Sequence, residues 1–305
     1  MIRLLIVADA LTGGPDTGER FAGRGIPTCV IVDPAVPRKM KGPNMKHPFN
    51  RMTDEQRLSA FRGMLRNASS VVFLGGAGVS TESGIPDFRS KDGLYHRTEK
   101  RFARYQPEYL LSWECLRNEP DVFFDYYRSH LDARSVPPNA AHRILAKWER
   151  EGRLAGIITQ NIDGLHQKAG SVNVQEIHGT TWKNHCVRCN AEYGVDFIFE
   201  STGKPKCPRC GGMVRPDVTL YGEFLPKEAH DNARRMIRDA DLLIIGGTSL
   251  QVGSAAGLAR QFSGGHLVII NKSKTLMDGA ADLVFHDSIG KILTEADEGE
   301  AHEPG

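Results

Sequence analysis

The sequence predicts an α/β fold: a doubly wound parallel sheet with helices on both faces, plus a smaller inserted module that carries four cysteines. Three observations predict it. Short, nearly all-apolar runs alternate with helical stretches: Val71–Leu74, Gly156–Thr159, Val174–Ile177, Leu242–Ile245, Leu267–Ile270 and a weaker Leu283–Phe285. Runs that lack a polar alternate suit parallel strands covered on both sides. The first run leads straight into a glycine turn, Gly75-Gly76-Ala77-Gly78, and two Cys-x-x-Cys pairs, Cys186/Cys189 and Cys207/Cys210, interrupt the rhythm further on.

The elements follow in order from Thr53. Thr53 with Gln56 three residues later forms a capping box, and Leu58, Phe61, Met64 and Leu65 recur at helical spacing. After the strand and its glycine turn, Asn118 to Leu131 reads as a helix with Pro120 in its first turn and Val122, Phe123, Tyr126 and Tyr127 on one face. Asn139 caps a further helix carrying Ile144, Leu145 and Trp148, and the later strands are separated by helices at 226–239 and 253–262. These divide the chain into a discontinuous Rossmann-like domain (51–98, 151–182 and 215–295) and a small helical and zinc-binding module (99–150 and 183–214). An acidic tail, 296–305, closes the chain.

Residues 1–50 are dense in Gly and Pro and keep little periodicity, so an irregular extension is expected. It is either a flexible segment or sequence upstream of the natural start, with Met52 opening the domain-like part. Leu4-Leu5-Ile6-Val7 before Ala8-Asp9-Ala10 is too short for a signal-peptide core. No apolar run approaches a membrane span, so no membrane partner is expected. Lysine plus arginine number 39 against 37 acidic residues among 305, a net charge of +2, which gives no electrostatic case for nucleic acid.

The four paired cysteines have the spacing of a structural zinc site, and 183–214 holds too little apolar content for a core of its own. Four thiolates leave no open position for a catalytic water. They also need a reducing compartment, which points to the cytoplasm. Cys29 and Cys115 read as plain apolar residues. The glycine turn after a strand offers backbone N–H groups to a phosphate, but the full dinucleotide fingerprint fails because its third glycine falls at Thr81. The loop from Ser80 to Ser90 then offers Phe88 beside Arg89. A second polar cluster, Gln160-Asn161-Ile162-Asp163-Gly164-Leu165-His166, follows a strand and suits a ribose or carboxamide, unless Asn161 or Asp163 merely caps a helix. A third strand ends at His178-Gly179.

Taken in order, the Gly75–Ser80 and Gly84–Arg89 segments, Thr159–His166, His178-Gly179, the four cysteines, Arg215–Val218, Gly246–Leu250 and Ile270-Asn271 resemble the sirtuin family of NAD-dependent protein lysine deacylases over about residues 53–295. The resemblance implies NAD as a consumed co-substrate, one structural zinc and acyl-lysine proteins or peptides as partners. It implies His178 as general base and Asn161 as an orienter of ribose and water. Ala77, Thr81, Phe88 and Arg89 would line the cofactor loop, Gln160 would hold the nicotinamide ribose, and Ile162 with Asp163 the carboxamide pocket. Thr248, Ser249 and Asn271 would contact the adenosine half. Val218 with Tyr221, Gly222, Glu223 and Phe224 would bind an extended peptide. In the implied reaction the acyl oxygen displaces nicotinamide, a ribose hydroxyl attacks the former acyl carbon, and water releases lysine, leaving O-acyl-ADP-ribose.

Some positions depart from the family pattern: Gly75 stands where Thr is usual, Tyr221 where Phe is usual and Ser254 where Pro is usual. Family members that prefer succinyl or malonyl groups carry a Tyr-x-x-Arg pair. Here Tyr127 is followed three residues later by His130, so an uncharged acyl group such as acetyl is expected. Mono-ADP-ribosyl transfer to protein shares the first step and is the alternative. A non-catalytic NAD sensor or zinc-ribbon binding module is disfavoured by the presence of both Asn161 and His178.

Overall fold

Six strands form one all-parallel sheet, which the chain fills in two sweeps from the middle outward. In chain order the elements are β1 (Leu4–Ala8), β2 (Thr28–Val32), α1 (Asp54–Asn67), β3 (Val71–Gly75), α2 (Pro107–Leu110), α3 (Trp113–Asn118), α4 (Pro120–His130), α5 (Ala140–Arg150), β4 (Gly156–Thr159), α6 (Leu165–Lys168), β5 (Val174–Glu176), β6 (Gly179–Cys186), β7 (Glu192–Gly194), α7 (Asp196–Phe199), β8 (Val214–Val218), α8 (Lys227–Asp239), β9 (Leu242–Gly246), α9 (Gly253–Ala259), β10 (His266–Ile270), β11 (Leu283–Phe285) and α10 (Ile289–Glu298). This computed structural model describes residues 52–88, 90, 93–96, 99–251 and 253–298, with the backbone of β1 and β2. Those two strands, within the segment expected to be irregular, pair in parallel with each other.

The large sheet has the order β11-β10-β9-β3-β4-β5, with every neighbouring pair parallel. The chain moves from β3 out to β4 and β5, then returns to β9 on the other side of β3. The winding direction therefore reverses between β3 and β9, and a crevice opens beyond their carboxyl ends. The doubly wound expectation holds.

Both faces of this sheet are covered, which explains the unbroken apolar runs. Val71 and Phe73 enter one core with Leu242, Ile244, Val268 and Ile270, while Val72 and Leu74 enter the opposite core with Leu243, Ile245, Leu267 and Ile269. Successive strand side chains point to opposite faces. The first core is closed by Phe61, Met64 and Leu65 of α1, Leu145 and Trp148 of α5, and Leu293 of α10. The second is closed by Ala233 and Ile237 of α8 and by the small residues of α9.

Several boundaries differ from expectation for local reasons. The capping box at Thr53 forms as read, with Thr53 Oγ1 accepting from the Gln56 N–H at 3.2 Å and Gln56 Oε1 from the Thr53 N–H at 2.9 Å. The helix expected to begin at Asn118 starts only at Pro120, because Glu119, the residue before a proline, is pushed out of helical geometry (φ −133°, ψ 59°). Asn139 caps α5, but α5 belongs to the large domain rather than to the insert. Its Leu145 is fully buried against the sheet, which contributes roughly 1.5–3 kcal/mol. The expected tail also begins later: Ala296 is buried, and the Asp297 carboxylate accepts from Trp148 Nε1 and Arg153 Nη2 at 2.8 Å and from Lys147 Nζ at 2.7 Å. The helix after β9 stops at Ala259, three residues short of the expected end, with Phe262 buried beyond it.

The small module has its own aromatic core, in which Phe123, Phe124, Tyr126 and Tyr127 of α4 meet Leu110, Leu116, Ile198, Val218 and Leu220. Beside it the antiparallel sheet β7-β6-β8 carries the cysteines. The crevice of the large sheet opens toward this module.

Candidate active site

Two glycine turns meet at the switch point. The N–H groups of Gly76 and Gly78 donate to the carbonyls of Gly246 (3.1 Å) and Gly247 (2.9 Å). A Cβ on Gly78 would lie 2.8 Å from Gly247 Cα, and one on Gly76 would lie 2.8 Å from Thr248 Cβ and 2.9 Å from Gln160 Nε2. Gly247 has φ +61° and faces the Val79 backbone. The glycines are thus required by the approach of one turn to the other. This corrects the expectation that their N–H groups face a phosphate: at Gly76 and Gly78 those donors are already occupied.

From these turns a continuous polar wall runs through three loops. The Gln160 side chain donates from Nε2 to Thr248 Oγ1 at 3.0 Å and to the Gly75 carbonyl at 3.3 Å. Asn161 Nδ2 donates to Ser80 Oγ (2.9 Å), and Ser80 Oγ donates to Asp163 Oδ2 (2.7 Å). Burial pushes the Asp163 carboxyl up from its ordinary value, offset in part by the Leu165 N–H and the Ser80 hydroxyl. Asp163 Oδ1 also accepts from Leu165 N at 2.9 Å, a turn that leads into α6, whose N-cap position is taken by Gly164. Gly164 is left-handed (φ +71°), and a Cβ there would lie 2.2 Å from Trp182 Nε1, the atom that donates to the Asp163 carbonyl at 2.7 Å.

His178 stands at the junction of these loops. Its Nδ1 lies 3.0 Å from the Gln160 carbonyl oxygen and its Nε2 lies 3.2 Å from Ser254 Oγ. A carbonyl only accepts, so Nδ1 carries the proton and Nε2 is the basic nitrogen. The His178 carbonyl accepts from the Thr219 N–H at 2.9 Å, and Gly179 pairs with Val218. The imidazole therefore sits between the glycine turns and the end of β8.

At that end a groove of about 460 Å³ is lined by Trp113, His185, Arg215, Val218, Glu223 and Phe224, among others. Phe224 is fully exposed. Glu223 accepts from Arg215 Nη2 (2.9 Å) and from the Leu220 N–H (2.9 Å), so its carboxylate braces the groove from inside. Tyr221 is stitched by its backbone to Leu111 and Trp113, and its hydroxyl lies 2.7 Å from that of Tyr95.

The four cysteine sulfurs lie within 4.8 Å of one another, with Cys186 and Cys210 at 3.4 Å and Cys189 and Cys207 at 3.6 Å. Zinc–thiolate bonds of about 2.3 Å put sulfurs of a tetrahedron roughly 3.8 Å apart, so the donor set fits zinc. Each Cys-x-x-Cys turn is closed the same way. Asn190 N donates to the Cys186 carbonyl (2.9 Å) and Gly211 N to that of Cys207 (2.8 Å), both residues being left-handed (φ +55° and +74°).

A protein-family model described as the Sir2 family matches residues 76–254, which include the glycine turn, His178 and all four cysteines. The chain is 50% identical over 238 residues to an NAD-dependent protein deacetylase of Clostridium acetobutylicum, covering 78% of this chain and 96% of that protein. It is 52% identical over 230 residues to a protein of the same name from Cutibacterium acnes, covering 75% and 93%. The chain belongs to the Sir2 family. Among solved Sir2 structures, one with a p53 peptide and NAD+ is similar at a TM-score of 0.71 and 35% identity, covering 81% of this chain and 99% of that one. Sir2Tm bound to a propionylated peptide is similar at 0.70 and 34%, with the same coverage.

In this Sir2-family chain, bonds join Gln160 to Thr248, Asn161 to Asp163 through Ser80, and His178 to Gln160, while Ala77 and Thr81 follow β3 and Ser249 follows β9. Thr81 Oγ1 donates to the Gly78 carbonyl at 2.9 Å, tightening the turn. Phe88 packs edge-on against Tyr95 (centroids 5.6 Å apart), and Ile162 packs on the insert's aromatic core. Asn271 follows β10, where its carboxamide Nδ2 donates to the Ser273 carbonyl at 2.7 Å. Arg89 lies outside the described residues. Ser80 and Ser254 are the polar partners that sequence reasoning did not assign; both bond residues more than 70 positions away, and nothing local marks them. No described helix is long and apolar enough to cross a membrane.

Proposed function

We propose that this protein is an NAD-dependent protein lysine deacetylase that yields nicotinamide, free lysine and O-acyl-ADP-ribose. The observation that carries the reading is His178, whose Nδ1 is fixed on the Gln160 carbonyl while the ring lies between the glycine turns and the groove beside Val218. NAD, when bound, supplies an electrophilic ribose carbon with nicotinamide as its leaving group. The chain's own part is to position, exclude water and move one proton. Gln160, held by Thr248 and Gly75, offers its amide to the ribose. Asn161, bonded through Ser80 to Asp163, orients the ribose and the attacking water, while Ile162 and Asp163 form the carboxamide pocket. Phe88 covers that pocket against water, and His178 Nε2 takes the proton of a ribose hydroxyl as it attacks the acyl carbon. Zinc would be held by Cys186, Cys189, Cys207 and Cys210 and acts on structure alone, since no coordination position remains for water.

The acyl-lysine peptide would lie extended along Val218 and the 221–224 stretch. Its acyl group is uncharged in this reading. Tyr127 is fully buried, and His130 turns away from it: His130 Nδ1 is bonded to the Tyr126 carbonyl (3.0 Å), and the ring stacks on Tyr126. A cytoplasmic location follows from the need to keep four thiolates reduced. The test is NAD-dependent nicotinamide release with and without an acetyl-lysine peptide, with intact-mass analysis of the peptide and of a carrier protein. Release that needs the peptide and lowers its mass by about 42 Da, as an acetyl group is replaced by hydrogen, supports the reading. ADP-ribose on the carrier with the peptide unchanged would replace it by ADP-ribosyl transfer, and faster turnover of a succinyl peptide would overturn the acyl preference.

A further inference from the structure

Ser254 opens α9 with its side chain turned not to its own helix but to the imidazole of His178, Oγ to Nε2 at 3.2 Å. On the opposite edge of the ring, Nδ1 is held at 3.0 Å by the Gln160 carbonyl. We propose that Ser254 is a positioning residue for the general base: its hydroxyl, with the Gln160 carbonyl, clamps both nitrogens of His178, fixing the plane of the ring and keeping Nε2 unprotonated until a ribose hydroxyl reaches it. This rests on the deacetylase reading above.

Three features of the site support the assignment. The Gln160 carbonyl determines the tautomer, but as a single bond on a broad and soft Cβ–Cγ torsion it restrains the ring plane only in part. A second bond on the far nitrogen removes the remaining freedom. Ser254 itself is held by the first turn of α9, whose Ala255, Ala256, Leu258 and Ala259 are buried in the core, so the hydroxyl is presented from a fixed backbone. A serine hydroxyl can also rotate. It donates to Nε2 in the resting enzyme and turns a lone pair to the Nε2–H once that nitrogen has taken the ribose proton, so the contact is kept through the step. The resting bond therefore orients the base without consuming it.

The role acts on one chemical step. Displacement of nicotinamide by the acyl oxygen needs no base, whereas attack by the ribose hydroxyl does. Nicotinamide exchange, in which labelled nicotinamide returns to NAD in the presence of acetyl peptide, reads the first step alone. Lysine release reads both. The variants are Ser254→Ala, Ser254→Pro and Ser254→Thr. Proline is tolerated there because an N–H in the first turn has no intrahelical acceptor.

Loss of a single neutral hydrogen bond to the base corresponds to about a three- to tenfold slower lysine release. That loss is expected in both Ser254→Ala and Ser254→Pro, with exchange within about twofold of the wild type and KM for NAD and peptide held. Ser254→Thr, which keeps the hydroxyl, is expected to recover most of the rate. The 15N resonance of His178 Nε2 in the zinc-loaded, ligand-free protein should shift in the alanine variant and not in the threonine variant. Lysine release in Ser254→Ala at or above the wild-type rate overturns the proposal, as does exchange that falls in step with lysine release, the mark of a damaged pocket. An unmoved Nε2 resonance overturns it too, and without reference to activity. A wild type that neither exchanges nor releases lysine overturns the deacetylase reading and this assignment with it.

Discussion

Lowering the pH from 7 to 5 should destabilise this protein through two histidines buried beneath the crevice. His142 of α5 and His166 of α6 face each other with ring centroids 4.7 Å apart, both fully or almost fully buried. His142 Nδ1 accepts the Asn139 N–H at 3.3 Å as part of the α5 cap. Among the described residues neither ring nitrogen of His166, nor Nε2 of His142, meets a hydrogen-bond partner. Burial holds both rings neutral, His142 at about 4 and His166 at about 3, each ordinarily near 6.5. For His142 the nearby Arg143 adds to the effect, and for His166 the His142 ring does.

A cationic acid with a depressed folded pKa contributes its full stability above the unfolded value and loses it as the pH falls below 6.5 toward the folded values. Over pH 7 to 5 the unfolded chain takes up nearly one proton per ring that the folded chain refuses. At about 1.4 kcal/mol per proton per pH unit, effective over roughly 1.5 units, each ring loses about 2 kcal/mol, or about 4 kcal/mol for the pair. For a folded region of this size that is roughly 8–15 °C in Tm. The assay is thermal unfolding of the zinc-loaded protein at steps from pH 7.5 to 5, beside the double variant H142Q/H166L. Gln keeps an acceptor at the third helical position of the capping box, so the cap survives while both titrations vanish. Acid release of zinc and titration of surface carboxylates act equally on both proteins, and the difference in slope isolates the buried pair. Parallel Tm–pH lines would refute the reasoning.

Two glycines predict opposite signs. Gly78→Ala drives a methyl against the Gly247 backbone, which cannot rotate away, and should cost about 1–3 kcal/mol in denaturant unfolding. Gly63→Ala in α1 meets nothing within 4 Å and should gain about 0.5–1 kcal/mol. Elemental analysis should find one zinc per chain, and chelation or Cys189→Ala should raise amide exchange in β6, β7 and β8 well before it reaches α1 or β3; uniform exchange across the chain would argue against a local staple. Asp297→Ala leaves the Trp148, Arg153 and Lys147 donors without their shared acceptor and should lower stability by about 2–3 kcal/mol, whereas an unchanged unfolding midpoint would make 296–298 the tail that its composition suggested.

The sheet was legible because its signal is local and repeated. A strand covered on both faces has to be apolar at consecutive positions, so Leu242–Ile245 and Leu267–Ile270 announce themselves without knowledge of their neighbours. The cysteine spacing was legible for a similar reason, since two knuckles closed by Asn190 and Gly211 fit a four-sulfur site by covalent geometry. What the sequence could not display was pairing at long range. Acidic Asp297 looks like tail until Trp148, nearly 150 residues earlier, supplies a buried donor. Gly76 and Gly78 suggested a ligand cradle, yet what requires them is another turn of the same chain, Gly246-Gly247, invisible until β3 and β9 lie side by side. His166 sat inside a polar cluster, whereas it is buried with its ring packed on Phe73 and His142.

The departures from the family pattern bear on the same point from the other side. Tyr221 and Ser254 each bring a hydroxyl to a position where the usual residue has none. Both hydroxyls are partnered, and by residues from other loops: Tyr221 by Tyr95, at 2.7 Å on the cofactor side, and Ser254 by His178. Tyr95 in turn packs on Phe88 and is tied to it through the backbone, its N–H donating to the Phe88 carbonyl at 3.0 Å. The wall that would shield the cofactor and the segment that would receive the peptide are therefore joined by one bond, and the base is joined to the helix behind the second glycine turn by another. Peptide and cofactor binding should thus be coupled, each favouring the other by an equal factor, which NAD affinity measured with and without an acetyl-lysine peptide reads directly.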